Sequence, residues 1–272
     1  KKFHINGNIT EAKDSMLYLE NISLNGPVKI DSVKLGEDGT FDFQENAMDS
    51  ITPEFYRLRI ANQTINLSID STETVTVKAA YPQMSYKYEV EGSENCNTIK
   101  ELSLKQMLLQ SNINGIVKNP NIGVDSVDVI VARMLNDYKQ DIKRNYIFKA
   151  PMQASSYYAL FQTIQLGNTN SLIFNPRNNK EDVKVFAAVA TSWDTYYPGA
   201  ERGKNLHNIA IEGMKDIRII ENQMAQQKID ASKVQVNGCI ELALQDNQGQ
   251  IRRLSDLKGK VVLLDFHAFA SS

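Results

Sequence analysis

The stretch YRLRIANQTINLSI, residues 56–69, alternates apolar and polar side chains on both sides of a short polar turn. Strict alternation sends successive side chains to opposite faces of an extended chain, so each half of the stretch predicts a half-buried β-strand. The same period of two extends outward from Phe3 to Val90, in short runs separated by turn residues. About seven or eight such strands predict an antiparallel β-sandwich or a partly open barrel over residues 1–95.

Two details of this region predict local backbone geometry. Asp38-Gly39 supplies small residues that tolerate a positive φ, which predicts a tight hairpin that closes onto Thr40. The inward-facing parity also switches across Asp31 and Ser32, which predicts a β-bulge at this point. That bulge would keep four apolar side chains on the core side: Val28, Ile30, Val33 and Leu35.

Beyond the strand region, the period of the apolar residues changes from two to 3.6, which indicates helices. Ser93 or Asn95 can cap a first helix that ends within the Asn- and Gly-rich stretch 112–123. Asp125 or Ser126 can open a second helix. Three more are predicted: one that follows Pro151 and ends in a cap at Gly167, one over 181–196, and one with an apolar stripe from Leu206 to Met224. Because no helix can bury its stripe alone, we expect all five to pack together as a helical region over 96–230.

The last part of the sequence returns to extended patterns. Residues 231–239 form a polar connection, and the segments 240–244 and 250–254 flank a turn, which predicts a hairpin. The four aliphatic residues that precede Asp265-Phe266 predict a strand over 261–266 that is buried on both faces. The fold class predicted from the whole chain is therefore α+β.

The composition is that of an ordinary globular protein. The chain has 272 residues with 30 basic and 32 acidic side chains. This near-neutral charge gives no electrostatic reason to expect nucleic acid or an anionic membrane surface as a partner. No apolar run reaches the length that a membrane-spanning helix needs. The start at Lys1 fits a mature exported protein or a trimmed form, and it leaves room for a lipid anchor upstream.

Two polar clusters allow both a functional and a structural interpretation. The aromatic group within 193–198 could stack on a sugar or a peptide, but a plug between helices is the favoured interpretation. Asp137 and Asp141 stand four residues apart on one helix face, as paired carboxylates would. Arg133 and Lys139 beside them favour a solvated charged face instead.

The cysteines, histidines and glycines form no recognisable site. Cys96 and Cys239 lie in no C-x-x-C or metal-ligand spacing, and we interpret both as buried structural thiols. The three histidines share no metal-ligand spacing, although proximity in the fold stays open: His4, His207 and His267. Three glycines do not follow a strand as a phosphate loop requires: Gly199, Gly203 and Gly213. We therefore assign no metal and no cofactor.

The C-terminal stretch LSDLKGKVVLLDF, residues 254–266, resembles the entry to the thioredoxin-like domain of bacterial envelope thiol-disulfide oxidoreductases and alkyl-hydroperoxide-reductase-type proteins. In that family the next residues are Trp-Ala-x-Trp-Cys-x-x-Cys, with the first Cys as nucleophile. Aligned on this motif, His267 and Ala270 replace the two Trp residues and Ala268 matches. Ser271 stands at the position of the nucleophilic Cys, and the second Cys would lie beyond the last residue.

This resemblance implies an oxidoreductase group but not a competent site. A serine hydroxyl keeps its proton and cannot form a disulfide, so we assign no catalytic residue and expect no redox activity from the chain as it stands. The leading hypothesis is a binding or scaffolding protein of this group with an altered motif and an unknown protein or peptide partner. Two alternatives stay open: an active oxidoreductase or peroxiredoxin-like enzyme whose cysteines lie beyond residue 272, and a purely structural or ligand-binding protein.

The resemblance also bears on the strand over 261–266. In the thioredoxin fold the matching strand is central, and both of its neighbours come from sequence after the active-site motif. We interpret 231–272 as the truncated start of such a domain. We therefore expect this strand to pack poorly or to pair with a foreign edge, which would allow self-association.

Residues 1 to about 95 resemble a domain of unknown function that commonly precedes thioredoxin-like domains in envelope proteins of gut-type bacteria. The resemblance rests on four phrases: Ile30-Asp31-Ser32-Val33, Gly39-Thr40-Phe41-Asp42-Phe43, Phe55-Tyr56-Arg57-Leu58 and Val90-Glu91-Gly92-Ser93. It implies a location in the periplasm or cell envelope of a Gram-negative bacterium.

Overall fold

The computed structural model describes residues 1–47, 52–236, 243–245 and 248–253. In this part of the chain the fold is α+β, as the sequence predicts. The chain divides into two compact units, Lys1–Ile217 and Arg218–Ser272. The boundaries that we placed at residues 95 and 230 from the sequence stay predictions.

The described strands and helices follow the chain in this order. The strands of the first unit are β1 Lys2–Thr10, β2 Met16–Ser23, β3 Gly26–Lys34, β4 Thr40–Asn46, β5 Glu54–Ile60, β6 Gln63–Ile69, β7 Thr74–Ala80, β8 Tyr88–Glu91, β9 Thr163–Leu166 and β10 Thr169–Leu172. The helices are α1 Glu94–Lys118, α2 Val124–Ile142, α3 Ala154–Leu160, α4 Lys180–Tyr196 and α5 Glu201–Val236. A 3-10 turn spans Tyr81–Gln83, a π-helical turn spans Lys143–Ile147, and the second unit contains β11 Ala243–Gln245 and β12 Ile251–Arg253.

The strands β1–β8 form two four-stranded sheets. Their orders are β4-β1-β7-β8 in the first sheet and β3-β2-β5-β6 in the second. Apolar side chains from both sheets meet in one hydrophobic core, in which Ile5 of β1 and Leu58 of β5 are fully buried. The N-terminal region is therefore a β-sandwich, the first of the two predicted alternatives.

One pair of neighbouring strands departs from the predicted antiparallel arrangement. β1 and β7 run parallel, with Ile5 opposite Val75 and Gly7 opposite Val77. Between them the chain visits the second sheet twice, through the pairs β2–β3 and β5–β6. Alternation along a strand shows which face is buried, but it carries no information about the direction of the neighbouring strand.

The turn at Asp38-Gly39 is formed, but it is not the predicted hairpin. Gly39 has a positive φ of 70°, as expected for this pair. The turn connects β3 to β4, which lie in different sheets, so it carries the chain across the sandwich. The Ile9 amide donates a hydrogen bond to the Gly39 carbonyl at 2.9 Å, which ties the crossing to the end of β1.

The predicted β-bulge is confirmed in β3. Leu19 of β2 lies opposite Asp31, whereas the next residue, Glu20, lies opposite Lys29. Ile30 is thus the extra residue on β3, directly before the predicted switch of parity.

We predicted that this bulge keeps four apolar side chains on the core side, and for two of the four this prediction is wrong. Leu35 is buried and Val33 is partly buried against the sandwich core, as expected. Val28 is exposed because it lies opposite Asn21, close to the tip of the β2–β3 hairpin. Ile30 is exposed because it is the unpaired residue of an edge strand.

The helices of the first unit cover the outer face of the second sheet. Phe55 of β5 belongs to the hydrophobic core of the helical layer, and Ile22 of β2 packs against that core. Ser93 caps α1 as predicted, since its hydroxyl accepts a hydrogen bond from the Cys96 amide at 3.1 Å. The first unit therefore has three layers, two sheets and one layer of helices.

Two details of the helical region correct the prediction. The third helix ends at Leu160, and β9 and β10 then form a hairpin whose turn contains Gly167 at a φ of 60°. Gly167 is thus a turn residue and not a helix cap. The second helix is capped by Gly123 without a side-chain hydrogen bond, so neither Asp125 nor Ser126 opens it. The fourth helix agrees with the sequence-based bounds to within one residue.

The second unit confirms the predicted C-terminal hairpin. β11 and β12 pair in antiparallel fashion, with Ala243 opposite Arg253 and Gln245 opposite Ile251. The predicted strand over 261–266 lies outside the described residues, so its self-association stays a prediction. No helix in the described part of the chain is both long and apolar enough to cross a membrane.

A matched pair of glycine substitutions tests how α5 is packed. A methyl group on Gly213 would lie 2.5 Å from the Pro176 carbonyl oxygen and 2.9 Å from Cγ2 of Val183. Gly213→Ala should therefore lower the free energy of unfolding by about 1–3 kcal/mol through overpacking. Gly115→Ala in α1 meets no atom within 4 Å, so its better helix propensity should raise that free energy by about 0.5–1 kcal/mol. Urea unfolding measures both, and equal effects of the two changes would contradict the close approach at Gly213.

Candidate functional site

A cleft of about 630 Å³ lies between the outer face of the second sheet and the helices of the first unit. This volume falls within the range of about 300–1,000 Å³ that is typical of small-molecule sites. The strands contribute one wall and α1, α3 and the start of α5 contribute the others. The residues that line it are Ile22, Ser23, Leu24, Phe55, Tyr56, Arg57, Asn66, Leu67, Ser103, Gln106, Met107, Tyr157, Tyr158, Phe161, Gln162, Thr163, Arg202 and Asn205.

Aromatic rings form one side of the cleft. Phe55 stacks on Tyr157 with ring centroids 5.1 Å apart, and Tyr157 contacts Phe161 at 4.8 Å. Phe55 comes from β5 and the other two rings come from α3 and its end, so the rings join the sandwich to the helical layer. Such a surface can hold a planar or apolar group of a ligand by stacking and burial.

Arg202 of α5 is held in place beneath these rings. Its guanidinium group pairs with the Glu54 carboxylate and donates to the Ile22 carbonyl. It also lies 4.9 Å from the Phe55 ring centroid and 5.4 Å from that of Tyr157, which are cation–π distances. Burial works to lower the pKa of Arg202, but the Glu54 carboxylate outweighs it and raises that pKa above its usual value. Arg202 is therefore a buried, neutralised anchor between sheet and helices.

A second charged group lies at the sheet wall. Glu20 of β2 is 7% exposed, and one of its carboxylate oxygens accepts from Nε of Arg57 at 2.6 Å and from Nε of Arg59 at 3.1 Å. Burial would raise the pKa of Glu20, but the two guanidinium groups outweigh this and lower it. Arg57 lines the cleft, whereas Arg59 lies outside it and covers the ring of Tyr18 at 4.6 Å.

Hydrogen bonds fix the polar end of the cleft. Gln162 accepts from the Tyr138 hydroxyl at 2.6 Å and donates through Nε2 to the Leu102 carbonyl at 2.9 Å. Asn66 of β6 donates to the Tyr158 hydroxyl at 3.4 Å. These side chains cross-link sheet, α1 and α3, so the cleft is preorganised.

The chemistry available among these lining residues is that of binding. They contain no His, Cys, Asp, Glu or Lys, so the hydroxyls of Ser23 and Ser103 have no general base among the residues of the cleft wall. Amide, hydroxyl and guanidinium groups can orient a ligand, and the aromatic rings can bury its apolar part. The groups of the cleft wall are thus suited to the recognition of a ligand.

The residues that carry the thioredoxin-like resemblance lie elsewhere in the chain. His267 and Ser271 fall outside the described residues, as does Cys239, so their predicted roles stay predictions.

Cys96 is fully buried, and its thiol donates to the Ser68 carbonyl at 3.2 Å. Burial raises the pKa of Cys96, which keeps it a neutral thiol and confirms its structural role.

The described histidines have separate carboxylate partners. Nδ1 of His4 lies 3.9 Å from the Asp42 carboxylate, and Nε2 of His207 contacts the Asp194 carboxylate. Within the described residues, no group of three or more His, Cys, Asp or Glu side chains could hold a metal ion.

The two clusters with alternative interpretations are structural. Trp193 is fully buried between Tyr157 at 4.9 Å and Tyr197 at 5.0 Å, so the aromatic group is a plug between helices. Asp141 pairs with Lys105 of α1 at 2.8 Å, and its neighbour Asp137 is exposed. The two carboxylates therefore form no joint site.

Lys139, Gly199 and Gly213 were also considered in the sequence analysis, and the structure gives each of them a structural role. Lys139 is not part of a solvated face, because it binds the Asp182 carboxylate at 2.6 Å and links α2 to the start of α4. Gly199 has a φ of 79° in the turn before α5, and Gly213 allows the close approach of α5 to Pro176. Both glycines therefore have structural roles.

The cleft, its Arg57 and the neighbouring Arg59 were not found from the sequence. Arg57 and Arg59 occupy the polar positions of an alternating strand, which the pattern assigns to solvent. A signal was nevertheless present, since two arginines on one face of a strand need an acidic partner if that face is covered. That partner, Glu20, is 37 residues away from Arg57 in the sequence.

In comparisons with known protein families, the N-terminal part of the chain matches a family model. Residues 3–99, about a third of the chain, match the family model described as a domain of unknown function (DUF4369), which supports the resemblance predicted for residues 1–95. No curated protein matches the chain. The thioredoxin-like resemblance of residues 254–266 stays a prediction.

Among solved structures, one similar chain is that of a crystal structure of (S)-allantoin synthase. The two sequences are 11% identical, and the match covers 34% of this chain and 44% of that chain, with a TM-score of 0.22. The chain thus spans less than half of the length of that protein. At this TM-score the likeness says nothing about the fold or activity of the present protein.

Proposed function

We propose that the protein is a non-redox member of the thioredoxin-like thiol-disulfide oxidoreductase group that binds a peptide or protein segment in the cleft of its first unit. The cleft itself is the observation that carries this proposal. It offers about 630 Å³ of preorganised space with stacked rings and hydrogen-bonding groups. The residues of its wall supply no base and no thiol, which favours a ligand that is held rather than converted.

The sequence resemblance supports the remainder of the proposal. Ser271 stands where the group has its nucleophilic cysteine, so the redox reaction of the group has no nucleophile at that position. The match of residues 3–99 to a domain of unknown function agrees with the resemblance from which we infer a place in the envelope of a Gram-negative bacterium.

An insulin-reduction assay with dithiothreitol tests the non-redox part of the proposal. The full chain should give turnover no higher than the dithiothreitol background, because Cys96 is a buried thiol with a raised pKa and Cys239 lies in no redox motif. The controls are Cys96→Ser and Cys239→Ser, measured at the same protein concentration. Turnover well above background that either substitution abolishes would overturn the proposal.

A further inference from the structure

We propose that the cleft selects ligands in which a carboxylate lies beside an aromatic or aliphatic side chain, as at the C-terminus of a peptide, and that Arg57 binds the carboxylate. This inference rests on the proposed function and names the ligand class of the same cleft.

The first support is the unused hydrogen-bonding capacity of Arg57. Its Nε donates to Glu20, whereas Nη1 and Nη2 make no hydrogen bond within the described part of the chain. Two parallel N–H donors of one guanidinium group match the two oxygens of a carboxylate. The side chain is 27% exposed, so a ligand can reach it while part of its surface is shielded from water.

The second support is the charge balance of the cleft. Arg57 and Arg202 are the charged side chains among the lining residues. Arg202 is neutralised by Glu54, but Glu20 must serve both Arg57 and Arg59. Among the residues that the structure describes, one positive charge at the sheet wall is therefore left without a counter-ion, and a ligand carboxylate would complement it.

The third support is the apolar surface of the same cleft. Phe161 is half-buried on the aromatic side, and Met107 and the exposed Leu24 also line the cleft. A Met side chain adapts its shape to different apolar groups, and the rings add stacking. A carboxylate on Arg57 would thus leave the adjoining side chain of the ligand against an apolar surface.

A second hollow of the first unit lacks the combination of an unbalanced arginine and an apolar surface. It measures about 810 Å³ and lies between the segment 170–177 and the α5 residues 208–216. Arg177 in its wall is accompanied by Glu212 and Asp216, so it offers no net attraction to an anion. Ligand binding at this hollow therefore serves as the internal control for ligand binding at the cleft.

The test uses a panel of N-acetylated amino acids with aromatic or aliphatic side chains, each as the free acid and as the carboxamide. Affinities for the full chain are measured by NMR titration of the wild type, Arg57→Gln and Arg59→Gln. Arg59→Gln is a matched control, since it removes the same kind of bond to Glu20 from outside the cleft. Thermal unfolding confirms that each variant is folded.

The expected result is that the acids bind the wild type at least about tenfold more tightly than their amides. Arg57→Gln should reduce this preference to less than about twofold. Arg59→Gln should lower it only in part, because the Nη1 and Nη2 donors of Arg57 remain although Glu20 then balances its charge. Acids and amides that bind the cleft equally well would overturn the carboxylate inference and leave the proposed function standing. Failure of both forms to bind would overturn the inference and also count against the proposed function.

Discussion

Arg202→Met should lower the free energy of unfolding by about 3–5 kcal/mol, the usual cost of breaking a buried ion pair from one side. The side chain of Arg202 is 9% exposed and that of Glu54 is 19% exposed. Without the guanidinium group, the Glu54 carboxylate keeps its burial but loses its counter-ion, and the Ile22 carbonyl loses its donor. Urea unfolding of the purified variant measures the change.

Two further variants distinguish the contribution of this ion pair to the free energy of unfolding from that of an exposed charge in α5. Lys204→Met removes an exposed cation that lies 3.6 Å from Glu201, so it should change the free energy of unfolding by less than about 0.5 kcal/mol. The double variant Arg202→Met with Glu54→Gln should recover part of the loss, because no carboxylate is then left buried and unpaired. If the loss for Arg202→Met were as small as that for Lys204→Met, the anchor between sheet and helices would be refuted.

Trp193→Ala should lower the free energy of unfolding by a similar amount, about 3–5 kcal/mol. The indole is fully buried, and its removal would leave a cavity beside Tyr157, which is itself part of the cleft wall. Trp193→Phe should cost less, since it fills more of the space and removes an Nε1 donor that finds no acceptor among the described residues.

Tyr196→Ala is the control for the aromatic plug. Tyr196 lies in the same helix but is 51% exposed, so its loss should be below about 1 kcal/mol. Denaturant unfolding of the three variants gives the comparison directly. Equal losses for the buried and the exposed aromatic residue would contradict the structural role assigned to Trp193.

The parts of the fold that follow from local pattern were predictable. Alternation along residues 56–69 gave strands β5 and β6 with Leu58 and Leu67 buried, and the 3.6 period gave α4 nearly to the residue. The side-chain cap at Ser93 and the bulge next to Asp31 were also predictable, because each depends on a few neighbouring residues.

The parts that depend on distant contacts were not predictable. The parallel pairing of β1 with β7 joins segments separated by five strands, and no local pattern specifies it. The hairpin at Gly167 was interpreted as the end of a helix because a positive φ suits both a cap and a turn. The cleft depends on pairs such as Glu54 with Arg202, which are 148 residues apart, so a single sequence gives no direct sign of them.

A ¹H–¹⁵N correlation spectrum of the full chain, titrated with the same panel of N-acetylated acids and amides, tests most directly whether the cleft is the binding site. We expect the ligand-induced shifts to cluster on the cleft residues. They should disappear in Ser103→Trp, whose indole fills the cleft, and persist in Leu104→Trp, which adds the same ring on the exposed side of α1. Shifts confined to 170–177 and 208–216, or no shifts at all, would contradict binding in the cleft.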